Sequence, residues 1–246
     1  MQMNSSLGKR ILALARAGDY AHAGEEEAIR LALEPVPRIG SQFLLDAGCG
    51  RGGTAHFVQE NGWGRVTGFD IEGESVAQAQ ARYPELEFVV CDVLDIARHV
   101  RRSYDVIYAF NAFYAFPDQL GALHALRSVA RPGAQLVIFE YVDRGGFAAT
   151  EFAGMEEAAH WQPLRLASLT GTWAEAKWGV ESIRELHAEY ERWYVALMHR
   201  LEARQAEIIA LAGEETYRYV WRLYRLLLDA IERGALGGAV IYAKAA

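Results

Sequence analysis

Between residues 42 and 142 the chain alternates short apolar runs with stretches of helical periodicity. The runs FLLDAG, RVTGFD, LEFVVCD, YDVIYAF and AQLVIFEYV are rich in branched and aromatic residues, the pattern of strands buried on both faces. Helix-like stretches over 54–61, 74–83, 96–101 and 118–130 lie between and after them. Such alternation predicts βαβ units and a parallel sheet. Ahead of it two helices are predicted, over 6–17 and 24–34. The second opens on Glu25, Glu26 and Glu27, whose charges suit the positive end of a helix, and it is stopped by Pro35 and Pro37. The link between them, GDYAHAG, is turn-rich and carries Tyr20 and His22.

Beyond Asp143 the pattern changes. Residues 143–176 show no clean period and read as an inserted cap with one or two helices, followed by a weak strand over 177–184. Tyr190, Trp193, Leu197, Leu201, Ile208 and Leu211 then recur at helical spacing, as do Tyr217, Val220, Trp221, Tyr224, Leu228 and Ile231. Gly213 between these helices and Gly234 after them are expected as left-handed caps. The run GGAVIYAKA reads as a short buried strand.

With 246 residues, 52% of them hydrophobic and 23% charged, the chain can bury a large core, and one domain with an elaboration is expected. The net charge of −7 opposes a polyphosphate, so no nucleic-acid partner is expected; the basic run RHVRR at 98–102 reads as a solvated helix end. Cys49 and Cys91 make no disulfide framework, and no His/Cys cluster has zinc-ligand spacing, so no metal and a reducing, cytoplasmic setting are expected. MQMNSSLGKR lacks an apolar leader core, and no apolar run reaches the roughly 18 residues of a span, so neither secretion nor membrane spanning is expected.

The stretch LLDAGCGRGGT carries the chemistry. Gly48-x-Gly50-x-x-Gly53 falls between a predicted strand and a predicted helix, where glycines let the backbone turn tightly against a ligand and free amides favour a negative group. Nicotinamide enzymes and methyltransferases share this device. Asp70, ending the second strand, can accept from ribose hydroxyls in either case.

Taken in order, LLDAGCGRGGT, GFDIEGESVAQAQAR, FVVCDVLD, YDVIYAFNAFYAFPD and LRSVARPGAQLVIFEY resemble the class I S-adenosylmethionine-dependent methyltransferases, especially the small-molecule branch with the ubiquinone/menaquinone and glycine/sarcosine-type enzymes. The resemblance covers residues 42–142, and GALGGAVIYAKA resembles that fold's last antiparallel strand. It implies an α/β, Rossmann-like, doubly wound sheet of seven strands, mostly parallel with an antiparallel last strand. Within one domain, 1–41 would form N-terminal helices and a lid, 42–142 the cofactor-binding core, 143–236 the cap and C-terminal helices, and 237–246 the last strand.

S-adenosylmethionine is the cofactor the resemblance implies. The backbone of Gly48, Cys49 and Gly50 would hold its methionine part, with Asp46 near the amino group. Asp70, with Ile71 beside it, would take the ribose. Asp92, after Cys91, would accept from the adenine amino group, the backbone of Val93 would meet the ring edge, and Asn111 would line the methyl region. Gly53 departs from many relatives. From the residues alone, Asp46 can equally orient the loop and Asp92 can close an Asx turn.

With an electrophilic methyl donor, an enzyme mainly aligns the nucleophile and excludes water, which can supply about 7–11 kcal/mol. No triad is needed or visible. A base assists a protonated amine or a hydroxyl, and the candidates are His22 and Tyr20 first, then Tyr114 and Tyr141. Trp161, Trp173, Trp178, Trp193, Tyr190 and Tyr194 crowd the region where substrates enter this fold, and aromatic faces attract cations. An amine nitrogen is therefore the expected acceptor, in a pocket including Trp161, Trp173 and Tyr141, of a small-molecule substrate bound by a protein that is a possible homodimer. Carbon or oxygen methylation of a quinone-like or other aromatic metabolite is the alternative, and an S-adenosylmethionine-binding regulatory protein without transfer activity is the reading from another class.

Overall fold

In the computed structural model, which describes residues 2–246, seven strands form one sheet. They are β1 (Phe43–Ala47), β2 (Arg65–Asp70), β3 (Glu87–Val90), β4 (Tyr104–Phe110), β5 (Ala130–Asp143), β6 (Trp178–Glu185) and β7 (Leu236–Ala245). Their order is β3-β2-β1-β4-β5-β7-β6. Pairings among β1 to β5 are parallel, while β7 runs antiparallel to both β5 and β6. The five apolar runs of the core fall on the five parallel strands, because a strand covered by helices on both sides has no polar face to show.

Helices α1 (Ser6–Arg16), α2 (Glu25–Ala32), α3 (Gly53–Glu60) and α4 (Gly73–Arg82) pack on one face of the sheet, together with α8 (His187–Ala203), α9 (Gln205–Ala212) and α10 (Glu214–Glu232). There Ile11, Ile29, Val58, Tyr190, Leu197 and Val220 are wholly buried. Helices α5 (Ile96–His99), α6 (Gln119–Ser128) and α7 (Leu166–Glu175) cover the other face, around Ile107, Leu126 and Trp173. Residues 144–165 add short 3-10 turns rather than a further α-helix.

Two details depart from the helical periodicity. The helix expected through 190–211 is split at Arg204, whose backbone (φ −101°, ψ 13°) leaves helical geometry. Gly213 has the positive φ anticipated, but its ψ of 160° is extended, so it is a bend between helices and not a left-handed cap. Among the described residues no helix is long and apolar enough to cross a membrane.

Ile107, at the centre of β4, is fully buried between β1 and β5. Truncation to Ala should cost roughly 2–5 kcal/mol in urea denaturation. A loss below about 1 kcal/mol would mean that the core collapses around the site instead of leaving a cavity.

Candidate active site

Strand order reverses at β1, with β2 on one side and β4 on the other, which opens a crevice at their carboxyl ends. The turn from β1 into α3 is pinned there: the Gly48 and Cys49 amides both donate to the Phe69 carbonyl at 2.9 Å. Gly48 sits at φ +82°, and a Cβ on it would lie 2.5 Å from that of Ala112, so the turn can approach the end of β4 only without a side chain. Over it lies a cavity of about 450 Å³, within the range of small-molecule sites. Asp46, Gly48, Cys49, Gly50, Asp70, Ile71, Cys91, Asp92, Val93 and Asn111 all line it.

Its floor is acidic. Asp46 is buried and its Oδ2 has no hydrogen-bond partner among the described residues. Burial, and then the charge of Asp70, push its carboxyl up to about 8. Asp70 is better satisfied: Oδ2 accepts from Gly50 N at 2.8 Å and from Lys9 Nζ at 3.1 Å, and Oδ1 accepts from Glu72 N at 2.9 Å. A carboxylate offers about four acceptor positions, so roughly one stays open, and a second hydroxyl can bind only where Lys9 now does. Ile71 is 69% exposed, an apolar surface turned toward the cavity mouth. Asp92 accepts from the Leu94 amide at 2.9 Å, the Asx turn its own residues allowed, while still lining the cavity.

The link between α1 and α2 roofs the cavity with Asp19, Tyr20, Ala21 and His22. His22 is buried, with Nδ1 3.0 Å from the Ala23 carbonyl and Nε2 3.0 Å from Thr54 Oγ1. Burial lowers its pKa to about 3. With both nitrogens engaged and its basicity lowered by burial, His22 ties the link to α3, an arrangement that favours a strut over the base expected of it. Burial, then Glu26, raise the Tyr20 phenol far above its ordinary value, so it keeps its proton at neutral pH.

A second, smaller cavity of about 30 Å³ adjoins the first. Asn4, Ala21 and Asn111 line both. Tyr114, Tyr141 and Trp161 wall the smaller one in mutual contact, with ring centroids 5.2, 4.3 and 4.7 Å apart. Phe152, Glu157, Tyr224 and the aliphatic Met3, Leu12, Leu223 and Leu227 complete it. Trp173 is elsewhere: it lies in α7 on the opposite face of the sheet, packed near Phe113, and lines neither cavity, which corrects its place in the expected pocket. Sequence reasoning missed Asn4, Lys9, Glu140 and Glu157. Only Glu140 left a signal, a charge inside the apolar run LVIFEYV.

Residues 44–133 match a protein family described as Methyltransferase domain. Over that stretch, from β1 into the start of β5, the chain is similar to methyltransferase domains. The lovastatin nonaketide synthase, polyketide synthase component, of Aspergillus terreus is 28% identical over 68% of this chain, which spans 5% of that protein. The O-methyltransferase resE of Aspergillus sclerotiorum is 25% identical over 56% of this chain, and the match spans 57% of its length. In fold the chain is similar to the Haemonchus contortus phosphoethanolamine N-methyltransferase 2 solved with phosphomonomethylethanolamine and S-adenosylhomocysteine: TM-score 0.85 at 15% identity, over 97% of this chain and 56% of that one.

The site fits S-adenosylmethionine. Asp46 Oδ2 is a buried acceptor without a hydrogen-bond partner beside a glycine turn, with the unpartnered Tyr108 hydroxyl acting on the same carboxyl, and an ammonium group would complete its set. A cation placed there favours the ionised carboxylate, so Asp46 must shed a proton as it binds. Calorimetry with S-adenosylhomocysteine near pH 7, in buffers of differing ionisation heat, should register release of up to one proton, and affinity should rise with pH until about 8. Asp46→Asn should abolish the release. Proton uptake, or release that survives Asp46→Asn, would place the amino group elsewhere.

Proposed function

We propose that the protein transfers a methyl group from S-adenosylmethionine to a small-molecule acceptor, an amine nitrogen in the first instance. The observation that carries this reading is a cofactor-sized cavity with a small, mostly aromatic and apolar one beside it, the two sharing Asn4, Ala21 and Asn111, between which the methyl group would pass.

S-adenosylmethionine supplies a methyl group already activated on a sulfonium. On the protein side, the Gly48–Gly50 backbone, Asp46 and Asp70 would hold and orient the donor, Asp92 and Val93 its adenine, and the roof of Tyr20 to His22 would exclude water. An amine that arrives neutral needs no base: its lone pair forms the C–N bond as the C–S bond breaks, and the product is a cation. Tyr114, Tyr141 and Trp161 line that region, where aromatic rings attract a cation, and Glu157, whose two oxygens accept from the Met3 amide, adds negative charge. Tyr114, with its proton held by burial and by nearby Glu140, is suited to hydrogen bonding and not to taking a proton. The named substrate of the fold neighbour, an amine, agrees with this reading.

Packed aromatic walls also suit a planar acceptor, and an O-methyltransferase stands among the relatives. A screen of ethanolamine and glycine derivatives, phenols and quinones with labelled cofactor separates these readings. Label appearing only in phenols or quinones would overturn the amine assignment. Cofactor binding without transfer to any of them would favour the regulatory reading. On the best acceptor, Trp161→Ala should raise KM by about 2- to 30-fold, the worth of one cation–aromatic contact, with kcat nearly unchanged. Trp173→Ala should lower stability and leave KM alone.

A further inference from the structure

Glu140, near the carboxyl end of β5, is wholly buried, and among the described residues no Lys or Arg pairs with it. Its partners are neutral donors. Oε1 accepts from Asn111 Nδ2 at 3.1 Å and from its neighbour's amide, Tyr141 N, at 2.8 Å; Oε2 accepts from Tyr114 N at 3.0 Å. A lone buried carboxylate is costly to keep where an apolar side chain could fill the space. Its main side-chain contact is itself unusual, since Asn111 has φ +45°, the left-handed region that non-glycine residues seldom enter.

Asn111 faces two ways. Its Nδ2 donates to Glu140 and to Tyr190 Oη at 3.0 Å, while its Oδ1 accepts from the amide of Ala23 at 3.1 Å, at the end of the roof over both cavities. We propose that Glu140 is a positioning residue: as an acceptor-only carboxylate it fixes the Asn111 amide with its oxygen toward Ala23, and so holds the roof shut over the site of methyl transfer. This rests on the methyl-transfer reading of the same site.

A protonated Glu140 carries an O–H and no longer dictates that orientation. The Asn111 amide can then turn its oxygen to Glu140, which sets Nδ2 against the Ala23 N–H, two donors, and the roof bond is lost. Burial pushes the Glu140 carboxyl up to about 7, so the change falls near neutrality. The groups facing it do not titrate there. The phenols of Tyr114 after β4, Tyr141 on β5 and Tyr190 and Tyr194 on α8 are all raised by burial. His22 in the link stays neutral, and Arg16 on α1 is charged and paired with Glu25. Glu157 on the cap, raised from 4.5 chiefly by burial, and Asp46 on β1, raised to about 8, are the exceptions, and mutation separates them: Glu157→Gln and Asp46→Asn should each leave the step in place.

The test follows amide hydrogen exchange of the link in the full chain, free and saturated with S-adenosylhomocysteine, on both sides of pH 7, corrected for intrinsic exchange. Protection of the Ala23 amide should fall about two- to tenfold from the alkaline to the acid side, the order of one neutral hydrogen bond. Glu140→Gln should lose that pH step, with cooperative melting as the check that it folds, and Asp46→Asn should keep it. A step that survives Glu140→Gln, or no step in the wild type, overturns the proposal. If Glu140→Gln does not fold, Asn111→Ala decides: the step must vanish there, and its persistence is equally fatal. Failure of S-adenosylhomocysteine to bind the wild type would instead count against the methyl-transfer reading, since the exchange of the free protein is read independently.

Discussion

The link between α1 and α2 rests directly on the first turn of α3, and the enclosure of the site depends on that contact. A Cβ on Gly53 would lie 2.5 Å from the Asp19 carbonyl oxygen, so the link can sit this low only over a glycine. The Asp19 carboxylate then accepts from Arg51 Nε at 2.7 Å and Tyr83 Oη at 3.0 Å and pairs with Arg82 at 2.8 Å, while His22 and Asn111 hold the other end of the link. In dinucleotide-binding folds the third glycine of this spacing serves close helix–strand packing. Here it serves the roof. Water exclusion follows from that roof, and so does the low polarity that drives the carboxyls of Asp46 and Glu140 upward.

What could be read from the sequence was what is local in it. The residues expected to face the cofactor come from four short stretches, 46–50, 70–71, 91–93 and Asn111, each at the carboxyl end of a parallel strand, so once the strands are recognised the sheet itself gathers them around the cavity. Residues delivered by helix packing left no such trace. Lys9 reaches Asp70 across 61 positions, and Glu157 takes the Met3 amide across 154, contacts set by where α1 and the cap come to rest. The tryptophans of the cap failed for a related reason. Without a period, nothing in 143–176 says which side of the sheet a side chain will meet, and Trp161 and Trp173 went to opposite faces.

The buried ionisable groups pull stability and function in different directions. Asp46 and Glu140 have folded-state pKa values of about 8 and about 7 against ordinary values of 3.8 and 4.5. The folded chain therefore binds more protons than the unfolded one between those limits, and each group erodes stability as pH rises through its window. His22 works the other way. Lowered from 6.5 to about 3, it leaves the folded chain with fewer protons, so its contribution to stability grows as pH rises through that interval and is complete above 6.5. Near neutrality the strut is at full strength while the two carboxyls approach the ionised forms that meet an ammonium and orient an amide. An uncharged side chain in place of Asp46 would escape that cost of ionisation, whereas Glu140 also satisfies Asn111 Nδ2 and the amides of Tyr114 and Tyr141, which an apolar residue would leave unpaired. That the chain keeps both acids in its interior, Asp46 in the cavity wall and Glu140 behind Asn111, is the physical sign that this region is built for charge and not for packing.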